Sequence, residues 1–184
     1  MVLEYKLLTW NVRGIATPTK RHRVYTYLRR RHIQIACIQE THLTKTELVK
    51  LNKRWRGQIF GTHYSAFARG VLIWVAPGIP FVKTKVTIDS EGRYVILTGE
   101  LDGRPLNIAA LYCPNANQRA FLGELSPALF TDPMARDCGQ ETSIAHTPSL
   151  WTVQLLPCRA HSLYEYLEIS EPGQILGVYM TLGD

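Results

Sequence analysis

The sequence predicts an α/β protein built from layered sheets and helices. Three observations carry this expectation: short, mostly apolar runs of strand length recur through residue 130, polar segments with a helical apolar spacing separate the first of them, and glycine turns separate the later ones. With 184 residues, the chain is long enough for one domain with a hydrophobic core and too short to expect two. Its 46% apolar and 10% aromatic residues exceed what a disordered chain carries.

Taken in order, Glu4–Trp10 reads as a strand and Ile33–Gln39 as a second, almost wholly apolar one. Between them Thr19–Arg31 is polar, with Val24 and Leu28 four apart, which predicts a surface helix that returns the chain to a parallel strand. Thr44-Lys45-Thr46-Glu47 has the capping-box pattern, so a second helix is expected to open there and run toward Trp55. Four strand-like runs follow: Gly70–Val75, Phe81–Ile88, Tyr94–Leu101 and Leu106–Tyr112. Glu91-Gly92 and Asp102-Gly103 supply the turns of a meander among the last three. Asn115–Phe130 is a further helix candidate, capped by Asn115 and with Phe121, Leu122 and Leu125 on one face.

Beyond Phe130 the character changes. Residues 131–184 contain no lysine and four of the ten prolines, and they sustain no period, so an N-terminal unit of residues 1–130 and an irregular tail of 131–184 are expected. The chain closes on Ile175–Asp184, which reads as an apolar strand ending in Gly-Asp, a common turn.

Charge divides at the same place. Residues 1–130 hold 19 Lys and Arg against 8 Asp and Glu, hence +11; residues 131–184 hold 2 against 7, hence −5. A basic front part suits a phosphate-rich partner, because neutralising phosphates releases condensed counterions, and it equally suits a merely soluble surface. Arg29-Arg30-Arg31-His32 has the same two readings: a grip on a nucleic-acid backbone, or a basic helix end that complements the helix dipole. Trp55, Trp74 and Trp151 are expected to be core or rim aromatics. No stretch of eighteen apolar residues and no secretory leader pattern is present, so neither a membrane partner nor secretion is expected. Cys37, Cys113, Cys138 and Cys158 lack zinc-ligand spacing and read as reduced thiols of a nuclear or cytoplasmic protein. Oligomeric state is not legible.

Three strand ends carry candidate chemistry. The first strand runs into Thr9-Trp10-Asn11-Val12-Arg13-Gly14, the second into Ile38-Gln39-Glu40-Thr41-His42, and the last of the meander into Tyr112-Cys113-Pro114-Asn115. Ligands of α/β sheets are bound at such carboxyl ends. A carboxylate at Glu40 is the hard oxygen ligand that Mg²⁺ prefers, and amide and phenol groups hold phosphate oxygens. Each motif alone is ordinary; together and in this order they are specific. They resemble the first three signatures of the endonuclease/exonuclease/phosphatase superfamily, which includes exonuclease III-like abasic-site endonucleases and pancreatic-type DNases. Lys20-Arg21-His22-Arg23, Gln39-Glu40-Thr41-His42-Leu43 and Gly70-Val71-Leu72-Ile73 look closest to the endonuclease domains of LINE-type retrotransposons.

The resemblance spans residues 4 to about 126 and implies a DNase I-like two-layer β-sandwich flanked by helices, present here in part. It further implies a Mg²⁺ or Mn²⁺-dependent phosphodiester hydrolase acting on DNA, with Glu40 and Asn11 at the metal and Asn11, Glu40, Tyr112 and Asn115 as site residues. Such enzymes next use a Gly-Asp-Phe-Asn and a Ser-Asp-His signature, and this sequence contains neither. The closing Gly183-Asp184 is also the way a displaced Gly-Asp-Phe-Asn run would begin. The expectation is therefore a C-terminally incomplete endonuclease without activity of its own. Its alternatives are a catalytically dead nucleic-acid-binding module and a non-functional retrotransposon-derived fragment.

Overall fold

The computed structural model describes residues 3–112, 120, 121, 123–125, 153–157, 168–170 and 175–182. Two sheets stack face to face. The larger contains β1 (Leu3–Asn11), β2 (Ile35–Gln39), β3 (Gln58–Gly61), β4 (Val71–Val75), β9 (Glu168–Ser170) and β10 (Ile175–Leu182), in the order β3-β4-β2-β1-β10-β9. The smaller is a meander of β5 (Phe81–Ile88), β6 (Tyr94–Leu101) and β7 (Arg104–Leu111), extended by β8 (Val153–Pro157). Two helices, α1 (Pro18–Arg30) and α2 (Lys45–Arg54), cover the outer face of the larger sheet. The expected α/β sandwich flanked by helices is the observed architecture.

Strand parity explains the layering. Along β2, Ile35 and Cys37 point between the sheets while Ala36 and Ile38 point at the helices, so the continuous apolar run covers two faces. The inter-sheet core joins Tyr5, Leu7, Ile73 and Val75 to Leu97, Leu101, Leu106 and Ile108. Under the helices, Leu8, Leu72 and Trp74 meet Val24, Leu28, Leu51 and Trp55. A third cluster, Ile96, Ala109 and Leu111 with Phe121 and Leu125, covers the outer face of the meander. The latter two belong to residues 120, 121 and 123–125, which are helical, within the range where a third helix is expected. Asn115, its expected cap, lies outside the described residues, as does Trp151.

Local rules hold at most element ends. In α1 the Thr17 side chain accepts from the Lys20 backbone N–H and Pro18 occupies the first turn. At α2 the expected capping box is complete: Thr44 accepts from Glu47 N–H, and Glu47 accepts from Thr44 N–H at 3.0 Å. The β6–β7 turn places both Asp102 and Gly103 at positive φ, as a two-residue hairpin requires. β1 and β2 pair in parallel, Leu7 beside Ile35 through Asn11 beside Gln39. From beyond residue 130, β8 pairs antiparallel with β7, and β10 pairs antiparallel with β1 from Leu3 opposite Leu182 to Trp10 opposite Ile175. β3, a four-residue strand with no fully buried residue, was not expected; its signal is too short for periodicity to register.

Cys37, at the centre of the inter-sheet core, is 1% exposed, and burial pushes its thiol up to about 12. Its thiolate fraction at neutral pH is therefore negligible. Iodoacetamide at pH 8 is expected to leave Cys37 unmodified in the native protein and to alkylate it in urea, read by peptide mass mapping; alkylation in the folded state would contradict this core.

Candidate active site

The inner faces of β1 and β2 turn from apolar to polar at their carboxyl ends. Tyr5 and Leu7 give way to Thr9 and Asn11, and Ile35 and Cys37 to Gln39, all of them buried. Gln39 donates from Nε2 to Thr9 Oγ1 at 2.8 Å, while its Oε1, like Thr41 Oγ1, is buried without a hydrogen-bond partner. Orphaned buried acceptors are costly in a core and point to a polar ligand or to water. Asn11 Oδ1 accepts from Arg13 N–H at 3.1 Å, which orients the amide and leaves one of its two lone pairs.

Past these ends the backbone enters the left-handed region at Arg13, Glu40 and His42, with φ of 45°, 51° and 52°. Such conformations cost on the order of 1–3 kcal/mol each for non-glycine residues and collect at functional sites. Here a ladder of main-chain hydrogen bonds holds them. Gly14 N–H donates to Glu40 O at 2.7 Å and Ile15 N–H to Thr41 O; Thr41 N–H donates to Gly70 O at 3.0 Å and Gly70 N–H to Gly92 O at 3.0 Å. On the next residue along, Arg93 O accepts from Tyr112 N–H at 2.6 Å. The ladder thus runs from the end of β1, through those of β2 and β4, to the β5–β6 turn and the end of β7. Asn11, Glu40 and Tyr112 accordingly lie at one end of the two sheets.

Glu40 and His42 are each about one-fifth exposed and 3.9 Å apart, carboxylate to Nε2. Tyr112 packs half-buried against the inter-sheet core. Asn115 lies outside the described residues. As a fit test for a divalent cation, the Glu40 carboxylate, the Asn11 amide oxygen and the orphaned Gln39 oxygen at this end of the sheets are hard oxygen donors of the kind Mg²⁺ or Mn²⁺ takes. Among the described residues no group of three His, Cys, Asp or Glu side chains is close enough to share a metal. A cation held by Glu40 would keep most of its water shell, the usual state of protein-bound Mg²⁺.

Several residues of this end escaped the sequence reading. Gly70 reads in sequence as the start of a strand and Gly92 only as a turn, yet both carry positive φ and link the two sheets. Asp89 and Arg93 anchor the turn through bonds at 2.8, 2.9 and 3.1 Å. Arg69 lies over the Tyr64 ring and pairs with Glu91 at 2.8 Å, beside Phe67, which is 90% exposed. Glycines bracketing polar loops at Gly70 and Gly92 were the available signal. A Cβ at Gly70 would stand 2.4 Å from Thr41 Oγ1 at a φ of +86°. Gly70→Ala is therefore expected to cost about 2–5 kcal/mol, summing left-handed strain of ~1–2 with a clash of ~1–3. Urea denaturation measures it, and a loss below about 1 kcal/mol would show that the ladder yields easily.

The model of the Endonuclease/Exonuclease/phosphatase family matches residues 8–172. The chain belongs to this family. Among curated proteins, a Xenopus laevis protein, the Transposon TX1 uncharacterized 149 kDa protein, is 26% identical over 106 residues, which cover 58% of this chain and 8% of the TX1 protein. Among solved structures, truncated TDP2 from Caenorhabditis elegans superposes with a TM-score of 0.55 at 16% identity, covering 74% of this chain and 59% of that one. The human Nocturnin catalytic domain with bound sulfate anion superposes with a TM-score of 0.55 at 9% identity, covering 99% and 97%. At these identities the structural likenesses speak for the family's fold. The chain spans 8% of the TX1 protein and 45% of a second TDP2 chain from C. elegans. Among the described residues no helix is long and apolar enough to cross a membrane.

Proposed function

We propose that residues 1–130 form the metal- and phosphate-binding end of a phosphodiester hydrolase whose substrate is DNA, and that this chain by itself lacks the groups that activate water. The observation that supports this reading is the meeting of Asn11, Glu40 and Tyr112 at one end of the sandwich, over buried acceptors that have no partner. Glu40, with Asn11, would hold Mg²⁺ or Mn²⁺, which when bound offsets charge on a phosphate. Asn11 presents an oriented amide, and Tyr112 and Asn115 supply a phenol and an amide for phosphate oxygens. What is wanting is a base: the sequence has no Asp-His and no Asp-Phe-Asn.

Cation binding is the direct test. Mn²⁺ titration followed by electron paramagnetic resonance is expected to show one weak site, displaced by Mg²⁺ and lost in Glu40→Gln; binding unchanged in that variant would refute the assignment. For DNA, the +11 front part supports weak, salt-sensitive binding without sequence preference, since no element suited to base readout is evident. Filter binding across a salt series is expected to show affinity falling steeply with salt, and affinity indifferent to salt would rule out a phosphate-led contact.

A second reading, a nucleic-acid-binding module without chemistry, is favoured by the same missing base. It differs in one result: it does not require cation binding at Glu40.

A further inference from the structure

The helices α1 and α2 together carry nine Lys and Arg residues against one carboxylate, Glu47. A groove of about 530 Å³ runs between them on the outer helical layer, lined by Arg21, His22, Arg29, Arg30 and Arg54 over a floor that includes Trp55. None of Asn11, Glu40 or Tyr112 lines it. We propose that this groove is a second binding surface for the phosphate backbone of a nucleic acid, separate from the strand-end site. The proposal deepens the nucleic-acid reading above and rests on it for the class of ligand.

Helix physics alone does not account for the charge. Cations in the last turn of α1, Arg29 and Arg30, complement the helix dipole, as do Lys53 and Arg54 in α2. Lys20 and Arg21, however, stand near the opposite end of α1, where the dipole disfavours cations, and the first turn contains no acidic residue. Arg21 is also under-used within the fold. Its Nη1 lies 3.7 Å from Glu47 and makes no hydrogen bond, so the pair with Glu47 is a loose one and the cation on the groove wall is not held by a close internal ion pair. Arg29 is steadied over the Tyr25 ring at 5.9 Å, and Tyr25 in turn stacks on Trp55 at 5.4 Å, which fixes the groove wall. From Arg21 to Arg29 is eight residues, roughly 12 Å along a helix axis, a span that meets about three or four phosphates of one duplex strand at ~3.4 Å per step. Arginine suits this role because its planar donor fork matches phosphate geometry.

The test compares two double variants that remove the same charge from exposed positions: Arg30→Gln/Arg54→Gln in the groove, and Lys83→Gln/Lys85→Gln on β5 of the other sheet. Binding of fluorescein-labelled duplex DNA and of single-stranded RNA is followed by anisotropy over a salt series, after thermal melts establish that all variants fold. The groove pair is expected to weaken binding on the order of tenfold at low salt and to lower the salt slope by about two for the duplex, while the β5 pair changes affinity less than twofold. An effect with DNA, with RNA or with both supports the groove and tells which backbone it takes. Equal losses from the two pairs, or none from the groove pair, would overturn it. Glu40→Gln serves as a separate arm: loss of Mn²⁺ binding there without loss of DNA affinity is expected, and a failure of that arm bears on the strand-end site alone.

Discussion

Supercoiled plasmid incubated with this protein in magnesium is expected to remain supercoiled, with turnover at background. On the proposed reading Glu40 would hold the cation, that single carboxylate would place it loosely, and the sequence supplies no Asp-His pair to take a proton from the attacking water. Positioned acid–base groups contribute ~10²–10⁴-fold, and preorganised electrostatic stabilisation commonly a factor of similar size or more. On the proposed reading, in which both are wanting, the chain should fall several orders of magnitude short of an enzymatic rate. Nicking in magnesium that Glu40→Ala abolishes would show that residues 131–184 supply the catalytic groups, and the inactive reading would then be discarded.

Removal of the Asp89 carboxylate is expected to cause a large loss of stability at the strand-end site. Asp89 is 7% exposed and takes three bonds from Arg93, from the backbone N–H, Nε and Nη2. Its own carbonyl accepts from Thr62 Oγ1 at 2.8 Å and from Gly92 N–H, so the turn that carries Gly92 into the ladder is built around it. Breaking a buried ion pair costs about 3–5 kcal/mol; because Arg93 is partly solvated and keeps Glu124, Asp89→Ala should cost about 2–3 kcal/mol at pH 7. Burial works to raise the Asp89 carboxyl, but the hydrogen bonds and charge of Arg93 outweigh it and hold it below the usual aspartate range. A lowered folded-state value stabilises the fold above the ordinary aspartate value of ~3.9 and loses that contribution as pH falls through the folded-state value. Wild type should therefore lose stability on acidification below about pH 5, whereas Asp89→Asn, already weakened at pH 7, should show a flatter acid limb. Urea denaturation at pH 7 and from pH 5 downward reads both effects, and parallel acid limbs would remove Asp89 from the account.

Much of the framework was legible because its signals are local. The Val24 and Leu28 spacing, Thr44 with Glu47, and Asp102-Gly103 each act within one turn of chain, and each element formed where those signals stood. The order of the three strand-end motifs was sufficient to suggest the family that the match over residues 8–172 establishes. Asn11, Glu40 and Tyr112 were legible as candidates, though not their neighbours, since the roles of Gly70 and Gly92 depend on bonds between segments 20 or more residues apart and Asp89 matters through the turn that carries Gly92.

The sequence by itself determined the helices α1 and α2, the strands before residue 113 other than β3, and which strand ends carry polar groups, because periodicity and capping are read over a few residues. Only the tertiary structure decided that β10 lies antiparallel against β1, that Glu40 and His42 take left-handed backbone, and that arginines from two helices line one groove. Pairings and strain of this kind are set by contacts between distant segments, where the energy of a conformation belongs to the packed whole and no single stretch of chain records it.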